Sequence, residues 1–239
     1  MGHENYFVKR QNIDFSGCYN RRMDKPKAPT PRQRARYEAI LHAALDTFSQ
    51  YGFDGTSTRQ IAAAAGLEQG HLSYYFPSKE DLWREMLLSF QEEFHAVIED
   101  AIAAAPASPA TARAAVILPR FLRYFATHGK LSRIMQQEFS VSSPRHDWVI
   151  DTFALPIWQR LRPLFEQLEE EGALEGIGAA PGYFAIVGAA VTVFGSSPEV
   201  YRMAGSHPED DSFVEGLIAF LLRAILPPAL LPRARQGRR

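Results

Sequence analysis

The stretch from Gln69 to Tyr75 combines an amide, an imidazole and several hydroxyl groups within seven residues. A glutamine amide can bond adenine through N6 and N7, and an imidazole can bond purine N7. Serine and tyrosine hydroxyls can donate to phosphate oxygens, which fixes the register of a protein on a duplex. These residue types therefore suit a nucleic-acid groove. The candidate contact residues are Gln69, Gly70, His71, Ser73, Tyr74 and Tyr75.

The elements that must position this stretch are typical of a helix-turn-helix. Ser57 with Gln60 three residues later predicts a helix start through a capping box, and Gly66 can take the positive φ of a sharp turn. A short helix over 69–76 follows. The residues spaced to point inward are Ile61, Leu67, Leu72 and Phe76. The alternative is an ordinary three-helix bundle with a polar face, in which Tyr75 belongs partly to the core.

Two helix N-termini flank this motif, and each offers free amide groups and a positive dipole end to an anion. Ser57 and Thr58 stand at the first of them, and Lys79 stands at the second. Ser78 caps that second helix, with Asp81 in its first turn. We expect both ends to meet phosphate groups.

Helical periodicity also organises the rest of the chain, and no convincing strand pattern occurs, so the predicted fold class is all-α. A first helix at 32–51 carries the apolar stripe Ile40, Ala44 and Phe48, ends at Gly52 and is followed by a loop. The later helical segments are a long helix from Ser78 to before Pro106, then 111–128, 130–140, 147–172, 182–194 and 211–226. Pro119 should bend or break the segment 111–128, and Pro156 and Pro163 should bend or break the segment 147–172.

The formal net charge of −1 conceals an uneven distribution along the chain. Residues 1–36 carry nine Lys and Arg against three acids, a net charge of +6, and the remainder has a net charge of −7. A basic segment ahead of an acidic body favours a polyanionic partner for that segment. A solvated basic tail is the alternative.

Cysteine usage and hydropathy indicate the compartment. Cys18 is the single cysteine, so no intrachain disulfide can form, which suits a reducing cytosol. The N-terminus lacks the apolar stretch of a signal peptide. The longest nearly apolar run, Gly182–Phe194, is shorter than the about 20 residues that a membrane span needs. We therefore expect a cytoplasmic protein.

The segment 43–82 resembles the DNA-binding domain of the TetR family of bacterial one-component regulators. The residues that carry the resemblance are Phe48, Gly52, Thr56, Ile61, Ala62, Ala65, Gly66, Leu67, Gly70, Leu72, Tyr75, Phe76, Lys79 and Leu82. By this resemblance, Thr58, residues 68–71 and 73–75, and Lys79 correspond to DNA contacts. Glu68, Gln69 and Ser73 depart from the usual family residues, which leaves the operator sequence open.

The resemblance also implies a homodimer built from the last two long helices of each subunit. The residues support this independently, because 182–194 and 211–226 are apolar on more than one face and would leave a large exposed patch in a monomer. A twofold pairing hides such a patch. The alternative is that both helices are buried inside one subunit.

By the same resemblance, the middle helices enclose a pocket for a small-molecule effector. The candidate lining residues are Phe121, Phe125, Met135, Phe139, Trp148, Phe153, Trp158 and Phe184, with Glu138 or Arg162 as polar anchors. Any one of these aromatic residues could equally be plain core. The resulting domain prediction is a disordered basic arm at 1–31, a DNA-binding domain at 32–94, an effector-binding and dimerisation domain at 95–228 and a basic tail at 229–239.

The predicted function is a transcriptional regulator, a repressor that binds a palindromic operator as a homodimer and is released by an effector. An enzyme is disfavoured, because the seven histidines show no metal-ligand spacing and the sequence contains neither GxSxG nor a phosphate loop. We expect no cofactor and no bound metal. The alternative function is a helical protein-interaction module without sequence-specific DNA binding.

Overall fold

The computed structural model describes residues 30–174, 176–223 and 226. Most of the predicted basic arm, with Cys18, and the predicted basic tail at 229–239 lie outside the described residues. Thr30 and Pro31, assigned to the arm from sequence, instead start the first helix. The Thr30 hydroxyl accepts from the Gln33 amide N–H, and the Gln33 side chain accepts from the Thr30 N–H at 2.8 Å.

The described residues form helices and turns, which confirms the all-α prediction. The elements are α1 Pro31–Gly55, α2 Thr58–Ala64, α3 Gln69–Tyr75, α4 Lys79–Ala104, α5 Ala110–Thr127, α6 Gly129–Phe139, α7 Pro144–Val149, a π-helical turn Ile150–Ala154, α8 Leu155–Glu170, α9 Ala179–Gly195, α10 Ser197–Ala204 and α11 Asp211–Leu222. Helix α10 was not predicted from the sequence. The chain divides into two compact units after Leu88, inside α4, whereas the sequence placed the boundary after residue 94.

The core of the first unit is built on the predicted stripe of α1. Ile40, Ala44 and Phe48 are all buried. The helix is interrupted at Gly52, whose φ of 70° and ψ of 174° no other residue adopts easily. The segment after Gly52 is not the predicted loop, because residues 53–55 add a further helical turn before Thr56.

The second unit is held together by the close packing of α6 on α9. A Cβ at Gly195 would lie 3.1 Å from the backbone nitrogen of Arg133, and a Cβ at Gly129 would lie 3.0 Å from the Phe194 carbonyl oxygen. Both glycines therefore permit backbones to approach where a side chain would separate them. This close approach lies within the chain.

Of the three prolines predicted to bend or break their segments, Pro119 and Pro163 lie inside continuous helices and Pro156 lies in the first turn of α8. Pro163 does not break α8, because it lies on the exposed face, where the Gln159 carbonyl that it leaves unbonded can be hydrated. In the segment 182–194, predicted to pair with a second subunit, Ala190, Val191 and Phe194 are buried within the chain, as the alternative of burial inside one subunit has it for these residues.

No single helix in the described part of the chain is both long and apolar enough to cross a membrane. The pair α9 and α10 passes that test together, with a bend of 79° between its two members.

Two glycines of the first unit allow a backbone effect to be separated from a packing effect. A Cβ would meet no atom within 4 Å at either Gly66 or Gly70, but Gly66 has a φ of +68° and Gly70 lies within α3. Gly66→Ala should destabilise the protein by about 1–2 kcal/mol through left-handed strain, whereas Gly70→Ala should be neutral or stabilising by about 0.5–1 kcal/mol. Urea unfolding followed by circular dichroism measures both, and equal effects would contradict the backbone explanation.

Candidate nucleic-acid interface and ligand cavity

The turn between α2 and α3 is a hydrogen-bonded cap centred on Gly66. The Leu67 N–H donates to the Ala62 carbonyl at 2.8 Å, and the Gly66 N–H donates to the Ala63 carbonyl at 3.1 Å. This pair of bonds satisfies the last carbonyls of α2 and requires the positive φ that Gly66 has. The turn therefore directs the chain sharply into α3, as the sequence predicted.

α3 is attached to the first unit by very few side chains. Leu72 is its one buried residue, and Phe76, which ends the helix, is buried with its ring stacked 5.5 Å from Tyr37. Leu67, predicted to point inward, is only partly buried. The hydrophobic attachment therefore occupies one edge of the helix and leaves the rest accessible.

The structure places all the sequence-predicted contact residues of α3 at the surface. Tyr75 is half-buried, which agrees with the alternative that it belongs partly to the core. The rings of Tyr75 and Tyr74 pack edge to face, with their centres 5.4 Å apart. The exposed members are Gln69, Gly70, His71, Ser73 and Tyr74. The open space around Gly70 allows another molecule to approach the helix backbone.

The predicted capping box at the start of α2 is confirmed. The Gln60 N–H donates to the Ser57 hydroxyl at 3.2 Å, and the Gln60 side chain accepts from the Ser57 N–H at 2.8 Å. The Ser57 hydroxyl also donates to the Gln60 side chain at 2.8 Å, so this hydroxyl is already engaged in the cap. Thr58, the first residue of α2, is partly exposed.

Lys79 joins the first turn of α4 to the end of α1. Its ammonium group donates to the carbonyls of Phe53 and Thr56 at 2.8 and 2.9 Å and lies 4.2 Å from the centre of the Phe53 ring. An ammonium group has three donors, so one remains for another acceptor. The residue predicted to contact phosphate therefore also holds the domain together.

The second unit contains a cavity of about 590 Å³. Seven of the ten predicted effector-site residues line it: Phe121, Phe125, Met135, Phe139, Phe153, Trp158 and Phe184. These residues could be predicted from the sequence because aromatic side chains recur on several amphipathic helices at once.

The three remaining candidates lie outside the cavity lining. Arg162 is exposed and pairs with Glu166 one turn later, at 2.8 Å. Glu138 is buried and pairs with Arg145 at 3.4 Å. Trp148 packs edge to face against the Phe153 ring at 5.7 Å. The two proposed polar anchors therefore already have ionic partners within the chain.

The structure brings further polar residues to the lining that the sequence reading missed. They are Gln91, Tyr124, Gln136, Ser140, His146, Tyr183 and Thr192. Gln136 and Ser140 could have been predicted, because each directly follows a predicted lining residue, Met135 or Phe139. The others could not be found from sequence, because only the packing of α4 to α9 and the π-helical turn brings them together.

Two tyrosines of the lining differ in their hydrogen bonding. The Tyr124 hydroxyl donates to the Phe90 carbonyl at 2.9 Å, and burial raises the pKa of this phenol well above its usual value. Burial also raises the pKa of Tyr183 to about 12. Both phenols are therefore neutral hydrogen-bond donors at physiological pH.

Comparison with known proteins identifies the first unit. The family described as "Bacterial regulatory proteins, tetR family" matches residues 40–86. Residues 40–86 therefore match the DNA-binding domain of the TetR family. The HTH-type transcriptional regulator RutR of Escherichia coli (strain K12) is 49% identical to this chain over 71 residues, covering 25% of this chain and 34% of RutR.

Similarity beyond this domain is weaker. The HTH-type transcriptional repressor KstR2 of Rhodococcus jostii is 32% identical over 91 residues, covering 38% of this chain and 45% of that repressor. The chain thus spans about a third to a half of the length of these two curated relatives. The structure of the ketosteroid transcriptional regulator KstR2 of Mycobacterium tuberculosis superposes with a TM-score of 0.64 at 21% identity, over 80% of this chain and 95% of that one. That likeness shows a shared fold.

The double role of Lys79 can be tested through stability. Lys79→Met keeps the apolar stem but removes both hydrogen bonds to carbonyls, so we expect a loss of about 1–2 kcal/mol in the free energy of unfolding. Gln50→Met, at an exposed glutamine of α1 in the same unit, should change it by less than about 0.5 kcal/mol. Urea unfolding provides both values. Equal stability of the two variants would show that the Lys79 bonds contribute nothing measurable.

Proposed function

We propose that this TetR-family protein is a DNA-binding transcriptional regulator whose helix α3 lies in the major groove. The observation that carries the proposal is the one-edged attachment of α3, which buries Leu72 and leaves an amide, an imidazole and hydroxyls exposed on a capped, rigid turn. A helix held in this way fits the width of the major groove, which admits an α-helix.

The exposed side chains divide by the chemistry that each can offer to DNA. Gln69 and His71 suit base edges, because an amide and an imidazole match purine acceptors and donors. Thr58, Tyr75 and the remaining donor of Lys79 suit phosphate oxygens, which set position without reading sequence. Ser73 and Tyr74 present hydroxyls from the same helix, and Ser57 contributes mainly by capping α2.

The proposed assembly is a homodimer through α9 and α11. Phe184 on α9 is 62% exposed, and Phe220 on α11 is 69% exposed. Two phenylalanines in water are an unfavourable surface that a twofold pairing would cover. A symmetric dimer would present two copies of α3 to successive major-groove turns about 34–36 Å apart, which calls for a palindromic operator.

Repression released by an effector is the proposed mode of regulation. One of the relatives is described as a repressor, and the second unit has a cavity of a volume that suits a small molecule. A ligand would act by binding more tightly to a dimer shape that does not fit DNA, and only its differential affinity can shift the balance. A cytoplasmic location follows from the need to reach the chromosome.

The reading of bases by α3 predicts sequence-dependent losses. Gln69→Ala and His71→Ala should each weaken binding by about 1–3 kcal/mol at one or two base pairs and relax the preference there. Gln159→Ala, at an exposed glutamine of α8, is the matched control and should bind as the wild type does. Fluorescence anisotropy on the DNA upstream of the protein's own gene, with single-base variants, gives these values.

Salt dependence separates the DNA regulator from the interaction module without DNA binding. Six to ten phosphate contacts would lower the affinity by roughly 10³–10⁵ between 50 and 200 mM salt. Affinity for DNA that does not change with salt concentration would refute the groove assignment and favour the interaction module. The same conclusion would follow if the α3 variants bound all sequences as the wild type does.

The proposed dimer predicts a clear effect of charge on α11. Phe220→Glu would place two carboxylates in an apolar interface, so it should convert a dimer into a monomer at micromolar concentration. Val141→Glu, at another exposed apolar side chain, between α6 and α7, should remain dimeric. Sedimentation equilibrium measures the mass of each. A monomeric wild type, or a Phe220→Glu variant that stays dimeric, would exclude this interface.

A further inference from the structure

We propose that the cavity of the second unit takes an uncharged, flat aromatic or polycyclic molecule with one hydrogen-bond acceptor, and that the Tyr183 hydroxyl donates to that acceptor. The role of such a molecule as an effector rests on the proposed regulatory function, but its binding does not. Three properties of the lining carry this assignment.

The first property is the scarcity of ionisable groups. No Asp, Glu, Lys or Arg belongs to the described residues that line the cavity, and the ring of the lining residue His146 already bonds the Asp147 carboxylate at 3.1 Å. Two charged residues on the helices that form it lie outside the lining and are paired, Glu138 with Arg145 and Arg162 with Glu166. Moving an ionised carboxylate or ammonium out of water without a partner is costly. The lining therefore selects against anions such as those of fatty acids.

The second property is a wall of aromatic rings in two clusters. On α5, the Phe121 ring lies 5.0 Å from Phe125, and on α8 and α9 the Trp158 ring lies 4.8 Å from Tyr183 and 6.0 Å from Phe184. Aromatic pairs gain from offset-stacked and edge-to-face contacts beyond the area that they bury. A ligand that is itself flat and aromatic can make the same contacts with both clusters.

The third property is a tyrosine hydroxyl that has no acceptor within the chain. Tyr183 is only 4% exposed, lines the cavity, and has no hydrogen-bond partner among the residues that the structure describes. Its hydroxyl oxygen is not one of the fully buried, unbonded polar atoms, so a bound molecule can reach it. The pKa of about 12 that burial gives this phenol keeps its proton in place, and an acceptor on a ligand would engage it.

The other polar groups of the lining are less suited to this role. The Ser140 hydroxyl donates to the Gln136 carbonyl at 2.7 Å, and the Gln136 amide lies 3.4 Å from the Ser196 hydroxyl. The Gln91 amide donates to the Thr152 carbonyl. Thr192 is exposed to solvent. Tyr183 is therefore the lining donor that is left for the acceptor of a ligand.

Three fluorescent probes share one ring system and differ in their polar group: pyrene has none, 1-acetylpyrene has a neutral acceptor, and pyrene-1-carboxylate has a charged one. Titration of the full chain without DNA, followed by tryptophan quenching, gives each affinity and stoichiometry. We expect one 1-acetylpyrene per chain, bound at least about tenfold more tightly than pyrene-1-carboxylate. Tyr183→Phe should weaken 1-acetylpyrene by about tenfold and leave pyrene unchanged.

Tyr201→Phe, at a half-exposed tyrosine of α10 outside the lining, is the matched control and should bind all three probes as the wild type does. Equal or tighter binding of the carboxylate would overturn the charge selection, and an unaffected Tyr183→Phe variant would overturn the donor assignment. Failure of all three probes to bind would overturn the ligand class while leaving DNA binding intact. Saturable binding without release of DNA would instead count against the effector role alone.

Discussion

A helix of seven residues cannot hold itself together in water, because the cost of nucleation exceeds what so few hydrogen bonds return. Helix α3 therefore exists only through its attachment to the first unit. That attachment consists of the capped turn at Gly66, the buried Leu72 and the stacking of Phe76 on Tyr37. Because so few side chains are committed inward, the remaining surface of the helix is available to a partner, and its orientation is still fixed at both ends.

The two units handle polar groups in opposite ways. In the first, polar side chains of α3 stand in water, where desolvation costs little until a partner arrives. In the second, the lining of the cavity is apolar except for a few groups, and most of those are already bonded within the chain. A polar surface suits a hydrated polyanion, and a cavity lined mainly by apolar and aromatic side chains suits an uncharged ligand. The chemistry of each unit thus limits its own class of partner.

Local signals predicted the first unit well, because its helix ends are set by residues only three or four positions apart. Ser57 with Gln60 begins α2, Gly66 ends it, and Ser78 bonds the Asp81 N–H at the start of α4. The errors have equally local causes. Residues 53–55 form a helical turn where the sequence predicted a loop. Pro163 is tolerated inside α8 because it faces solvent.

What the sequence determined by itself was the helical fold, the helix-turn-helix and the polar composition of α3, since these depend on periodicity and on caps that act within one turn. What only the tertiary structure decided was which faces of the later helices are buried. Phe194 packs inside the chain whereas Phe184 stands exposed, and Tyr183 lines a cavity while Arg162 does not. A helix that is apolar on several faces gives no periodic signal for its orientation, so its buried side is set by helices far away in the sequence.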